Sequence, residues 1–324
     1  MGMLIEGKWS EQRPPPVAGS FVRTESQFRS VISADGASGF KAEAGRYHLY
    51  VAYNCPWAHR AIIFRRLKGL EGMISMSAAV PHDRTEGWRF GDDFPGSSAD
   101  AVNGATWLHE VYTLAKADYT GLVTVPTLWD KKTRTIVNNE SAEIIRMFNS
   151  AFDGIGATPG DYYPVQLRDE IDAINEYVYA NLNNGVYRTG FATTQQAYDD
   201  AVGRVFAALD TLEQRLAAQR YLVGGTLTEA DWRLFVTLVR FDAAYHHVFK
   251  CTLRPIASYH NLQNYLLELY QVPGVAGTVR LDHIVTGYYS IDRVNPGRIV
   301  PLVAQLDFTK PHDRARLTRE GLTA

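Results

Sequence analysis

In the stretch YNCPWAHR, Cys55 stands immediately before Pro56. The residues before it, RYHLYVA (46–52), are rich in β-branched and aromatic side chains and read as a strand. Pro56 to Leu67 reads as a helix. Proline suits the first helical position, Ala61, Ile62, Phe64 and Leu67 supply an apolar side, and Gly69 can close it. A cysteine at that junction meets the open N–H groups of the first turn and the positive end of the helix dipole. Both favour the thiolate, which is the nucleophilic form. His59 follows four residues on, on the same side of the helix, and Arg60 comes next. The competing reading is a buried, inert thiol, a common state for cysteine.

The fourth position of CPWA is Ala58, so this loop holds no second cysteine and cannot close a disulfide on itself. A mixed disulfide at Cys55 would need an external thiol to resolve it, which points towards glutathione. Two later stretches bear on such a ligand. In TVPTLWD, Pro126 interrupts a strand-like apolar run. Either the Val125–Pro126 bond is cis, leaving the backbone N–H and C=O of Val125 open to an extended peptide, or Pro126 sits on an edge strand. In NNESAEII, Glu140 and Ser141 open a helix. Ser141 and the first N–H groups could hold a carboxylate, and Glu140 an ammonium. Alternatively, Glu140 only complements the helix dipole.

The elements that must position these residues alternate. After the first strand and helix, Met73 to Val80 reads as a strand and His82 to Gly104 as a long polar loop. Leu108 to Ala117 reads as a helix. LVTVPTLWD and RTIVNN read as a hairpin turning at Lys131–Thr133, and Glu140 to Asn149 as a helix capped by Asn138 or Asn139. The order β-α-β-α-β-β-α predicts a mixed sheet with helices on it. From about Tyr163 onward helices dominate, over 165–182, 195–219, 229–248 and 260–269. The glycine-rich NSAFDGIGATPGDYYP separates the halves. The expected division is an N-terminal extension over 1–45, including the stiff EQRPPPVAGS, an α/β domain over 46–155, and an all-helical domain with tail over 156–324. In TLTEAD, Thr228 and Asp231 have the spacing of a helix cap, a structural task.

The 324-residue chain is 46% hydrophobic and 21% charged, ordinary globular composition that can bury a core without disulfides or metals. A formal net charge of -2 supplies no bulk field for nucleic acid or an anionic membrane. Two cysteines, Cys55 and Cys251, make no disulfide framework and fit a reducing cytosol. No secretory signal pattern opens the chain and no apolar run has membrane-spanning length.

A helix-start cysteine, then V-P, then E-S resembles a thioredoxin-like domain of the glutathione transferase kind, with a helical second half. More narrowly, YNCPWAHR, EGWRF, TVPTLWD, NNESAEIIRMFN, NNGVYRTGFA and a late DHI followed by Tyr-Tyr and NPGRIVP resemble the xi-class glutathione transferases, the glutathionyl-hydroquinone reductases. The resemblance spans about residues 45 to 301.

The resemblance implies that Cys55 attacks the glutathionyl sulfur of a glutathionyl-hydroquinone. This forms a mixed disulfide, releases the hydroquinone, and is resolved by a second glutathione. Tyr187 and Tyr288, with Tyr289 behind them, are implied as hydroxyl donors to the aromatic ring. Val125 and Pro126 would meet the cysteinyl backbone of glutathione, Glu140 and Ser141 its γ-glutamyl end, and Trp88 would pack beside the peptide. Two positions depart from the family pattern. Its arginine three residues before the valine of V-P is Leu122 here, for which Arg89 or Lys116 is the candidate substitute. Its histidine before Tyr-Tyr is Gly287. A cytosolic homodimer and no metal are implied. The competing functions are a conjugating, dehalogenating or thioether-cleaving transferase for another aromatic, and a non-catalytic dimeric scaffold.

Overall fold

The computed structural model describes residues 2–12, 15–302 and 306–317. Two residues of EQRPPPVAGS, 13 and 14, and the end of the tail, 318–324, lie outside the described residues. The chain forms two compact units. The first comprises Met1–Pro15, Arg23–Gly160 and Thr278–Ser290. The second comprises Pro16–Val22, Asp161–Gly277 and Ile291–Ala324. The sequence division keeps 1–15, 23–45, 156–160 and 278–290 apart from the α/β domain, and all four fall in the first unit.

The first unit opens with a hairpin of β1 (Met3–Ile5) and β2 (Lys8–Ser10). Its turn is Glu6-Gly7, both at positive φ, the backbone that a two-residue hairpin turn requires. Gly7 also lies where a Cβ would meet the Ala117 carbonyl oxygen at 2.0 Å. The short pair β3 (Ile32–Ser33) and β4 (Phe40–Lys41) follows. Then comes the main sheet. β5 (Tyr47–Val51) is buried along its whole length. It leads through α1 (Pro56–Leu67) to β6 (Ile74–Ala78), which pairs with it in parallel. Parallel neighbours need such a crossover. After α2 (Leu108–Ala115), β7 (Gly121–Leu122) joins β1 to complete a three-stranded sheet. β8 (Thr127–Asp130) and β9 (Thr135–Asn138) form an antiparallel hairpin, and α3 (Ser141–Ser150) packs against α1. The main sheet runs β6-β5-β8-β9. Asp130 builds the hairpin turn by accepting from Lys132 N–H at 2.9 Å and Thr133 Oγ at 2.6 Å, while Arg46 pairs with the same buried carboxylate at 2.7 Å.

The second unit contains α4 (Arg168–Val178), α5 (Gly185–Gly190), α6 (Gln195–Ala218), α7 (Glu229–Arg240) and α8 (His260–Gln271). The runs 165–182 and 229–248 read as single helices in sequence. Each is broken by a π-type turn, closed by Asn184 N–H to Tyr179 O at 3.0 Å and by His246 N–H to Phe241 O at 2.8 Å. Asp231 is fully buried. It accepts Thr228 N–H at 2.8 Å, Leu222 N–H at 2.8 Å and the Tyr265 hydroxyl at 2.7 Å, tying the start of α7 to α8. Burial raises its pKa. The last helix, α9 (Leu281–Tyr289), returns to the first unit. Among the described residues no helix is long and apolar enough to cross a membrane, and no cluster of His, Cys, Asp and Glu could hold a metal ion.

Candidate active site

Cys55 is the N-cap of α1 with extended backbone, and Pro56 takes the first helical position. The Cys55 carbonyl receives the His59 N–H at 3.0 Å and its own N–H donates to Ala52 O at 3.0 Å, so the loop is closed on both sides. The thiol is 8% exposed and donates to the Val125 carbonyl at 3.5 Å. The Val125–Pro126 bond is cis. Among the described residues the N–H of buried Val125 makes no hydrogen bond. A buried backbone donor without a protein partner beside a nucleophile suits an extended peptide ligand.

Neither neighbour of the thiol on α1 is a loose cation. His59 is buried, with Nε2 2.9 Å from Thr278 Oγ. Arg60 is buried too. Its guanidinium stands over the Trp57 ring at 4.5 Å and donates to Ser141 Oγ at 3.4 Å. Arg23, from the N-terminal segment, stands over the same indole at 4.7 Å. One of these guanidinium groups therefore reaches the helix start at Ser141, where a carboxylate would be favoured.

Glu140 is the N-cap of α3. Its carboxylate accepts from Ala142 N–H at 3.1 Å and from Ser141 Oγ at 3.4 Å, and its own N–H donates to Asn138 Oδ1 at 2.7 Å. The Glu140 and Val125 loops are tied together by Tyr112, which the sequence reading did not single out. Its hydroxyl donates to Thr124 O at 3.0 Å and accepts from Thr124 N–H at 3.2 Å and Asn139 Nδ2 at 3.0 Å. Nothing in the local spacing links Tyr112 to Asn139.

α9 brings its tyrosines into the same unit as Cys55, buried at 3% for Tyr288 and 6% for Tyr289. Burial raises the Tyr289 phenol further above its ordinary value. His283 lies 2.8 Å from Pro95 O and its ring meets Tyr53 edge-on at 5.2 Å. Gly287 packs directly on Asn54. Tyr187 is on α5 of the second unit, in an aromatic cluster with Phe21, Phe191, Tyr245 and Phe249.

Three further positions have committed surroundings. Trp88 is buried, with the Arg84 guanidinium 3.9 Å above its ring. Arg89 is held by Asp83 at 2.7 Å and Asp93 at 2.6 Å, so its charge is already matched by two carboxylates, and these raise its pKa. Leu122 lies in β7 opposite Met3, and its carbonyl accepts the Tyr119 hydroxyl at 3.1 Å. The position where an arginine was expected is therefore a sheet contact with the N-terminal hairpin.

Residues 54–151 match the glutathione S-transferase N-terminal domain family and residues 195–267 its C-terminal domain. The glutathionyl-hydroquinone reductase YqjG of Escherichia coli (strain K12) is 50% identical over 97% of this chain and 98% of its own length. Its glutathione-bound structure superposes with a TM-score of 0.91, at 48% identity over 97% of this chain and 99% of that one. The glutathionyl-hydroquinone reductase PcpF of Sphingobium chlorophenolicum is 53% identical over 93% of this chain and 96% of its own length. A Xi class glutathione transferase from Natrialba magadii superposes with a TM-score of 0.92, at 46% identity over 98% of this chain and 97% of that one. Fold and site thus define a glutathione transferase. Within that class the chain belongs to the Xi-class family of glutathionyl-hydroquinone reductases.

Proposed function

We propose that this enzyme reduces glutathionyl-hydroquinones to hydroquinones at the expense of glutathione, through a mixed disulfide on Cys55. The observation that carries the reading is the Cys55 thiol at the start of α1, 3.5 Å from the Val125 carbonyl, in a loop whose fourth position is Ala58. The Cys55 thiolate attacks the glutathionyl sulfur. A sulfur–sulfur bond forms, the sulfur–carbon bond breaks, and its electron pair passes to the ring carbon, which takes a proton. Tyr288 and Tyr187 are the proposed donors to the ring oxygens during that step. A second glutathione then attacks the mixed disulfide, giving oxidised glutathione and the free thiol, so one two-electron reduction is balanced by one two-electron oxidation.

In this reading Val125 and Pro126 meet the cysteinyl backbone of glutathione. Ser141, with Arg60 behind it, takes the γ-glutamyl carboxylate, and Glu140 takes the ammonium. Trp88 lines the peptide's surroundings, and Arg89 acts there only together with its two aspartates. A conjugating transferase is disfavoured, because a cysteine at this position traps glutathione as a disulfide where a Ser or Tyr would stabilise its thiolate. The enzyme is read as a cytosolic homodimer, a reducing compartment being in keeping with Cys55 and Cys251 outside any disulfide.

A single-turnover experiment tests the covalent step. Mixed with excess glutathionyl-hydroquinone and no free glutathione, the protein should gain one glutathionyl adduct on Cys55 and release one equivalent of hydroquinone. Hydroquinone release without an adduct on Cys55 would contradict the mechanism.

A further inference from the structure

The Glu140 carboxylate is oriented from two directions. Oε1 faces its own helix, accepting Ala142 N–H at 3.1 Å and Ser141 Oγ at 3.4 Å. Oε2 accepts from the Ser26 hydroxyl at 3.2 Å, a residue 114 positions earlier in the chain. The same hydroxyl lies 3.1 Å from the Asn139 carbonyl, so its one proton is shared between the carboxylate and the backbone next to it.

Ser26 is itself held in place. Phe28 N–H donates to Asn139 Oδ1 at 3.1 Å, Asn139 N–H to Phe28 O at 3.0 Å, and Ser30 N–H to Val137 O at 3.0 Å. Arg29 bridges antiparallel to Asn138 and its side chain pairs with Glu143. The Phe28 ring stacks on Tyr119 at 5.6 Å and meets Tyr112 edge-on at 5.7 Å. Residues 28–30 therefore run along the outer edge of β9, covering an edge that would otherwise be open, and deliver Ser26 to Asn139 and Glu140 just past the end of that strand. The Ser26 contact with the Glu140 carboxylate thus comes from a segment whose backbone is held at Phe28 and Ser30. A carboxylate turned in advance towards an ammonium loses less freedom on binding it.

We propose that Ser26 is a positioning residue for glutathione, holding Glu140 in the orientation that receives the γ-glutamyl ammonium. This rests on the reading of Glu140 as the ammonium site. The N-terminal segment is then a working part of the glutathione site, not an appendage to it.

The test measures binding by titration calorimetry in a Cys55→Ser background, so that no disulfide forms. The ligands are glutathione and N-acetylglutathione, whose γ-glutamyl nitrogen is an uncharged amide. Ser26→Ala should weaken glutathione about three- to tenfold and leave N-acetylglutathione unchanged, and Ser26→Thr should restore the loss. In Glu140→Gln the effect of Ser26→Ala on glutathione should vanish. Equal weakening of both ligands, no weakening, or failure of threonine to restore binding would overturn the assignment of Ser26. If the Cys55→Ser protein itself binds both ligands equally, the ammonium reading of Glu140 is wrong and the assignment falls with it.

Discussion

Gly287 of α9 has no room for a side chain, because a Cβ there would lie 2.3 Å from Asn54 Nδ2 and 2.7 Å from Asn54 Cβ. Asn54 is the residue before Cys55, so the last helix presses on the loop that carries the thiol. The position where the resemblance led to an expected histidine therefore holds glycine, which has no Cβ to meet Asn54. Gly287→Ala should therefore cost about 1–3 kcal/mol of stability as an overpacked contact and lower kcat by displacing Cys55. Thermal unfolding and steady-state rates check both. An unchanged melting temperature with unchanged kcat would mean that the contact gives way freely.

The two cysteines should differ sharply in reactivity. Cys251 is fully buried, and burial pushes its thiol up to about 12. Cys55, 8% exposed against 0% for Cys251, stands at a helix start, which favours its thiolate. In native protein at pH 7, iodoacetamide should label Cys55 alone, with Cys251 following only on unfolding. Peptide mass mapping over a time course reads this directly, and early labelling of Cys251 would contradict the structure.

Tyr112→Phe should impair both glutathione-contacting loops together. Losing the hydroxyl leaves the half-buried Thr124 N–H without its acceptor and the buried Asn139 Nδ2 with only Thr124 Oγ1 at 3.4 Å, at roughly 1–3 kcal/mol in all. The expected signature is a lower melting temperature and a raised KM for glutathione. A stability loss with KM unchanged would show that Tyr112 does not set the Val125 and Glu140 geometry.

Much of this was legible in the sequence, and the rest was hidden for physical reasons. The α1 boundaries follow from Pro56 and the apolar run after it, and the start of α7 from its capping residues; α3, expected to be capped by Asn138 or Asn139, is capped by Glu140, whose own N–H the Asn138 side chain accepts. Cys55, Val125–Pro126 and Glu140–Ser141 stood out because each breaks a local pattern at an element end. Tyr112 and Ser26 did not, since their partners are far away in the chain. Residues 28–30 show no periodicity because their backbone bonds go to Val137 and Asn139 at the edge of β9. α5 has only six residues, too few for a period to show. α9 is periodic enough, but nothing local says that it returns to the first unit. Gly287 looked like a departure because Asn54, the neighbour that explains it, is more than 200 positions away.

Acid should destabilise the fold in part through His48. It is 1% exposed, and burial holds its pKa down at about 4, against about 6.5 when unfolded. Below pH 6.5 the unfolded chain binds a proton that the native imidazole refuses. The stability present above pH 6.5 is therefore lost as pH falls towards 4. The loss attributable to this residue is about 3 kcal/mol. Denaturant titrations at pH 7 and pH 4.5 should show a smaller drop for His48→Gln than for wild type. Equal drops would mean that His48 titrates normally in the folded state.

The most direct test of the central claim is turnover with glutathione and a glutathionyl-hydroquinone, following free hydroquinone and oxidised glutathione together. Wild type should release one hydroquinone per oxidised glutathione, and Cys55→Ala should lose the rate by roughly a thousandfold or more. No release by wild type, or undiminished release by Cys55→Ala, would contradict the account.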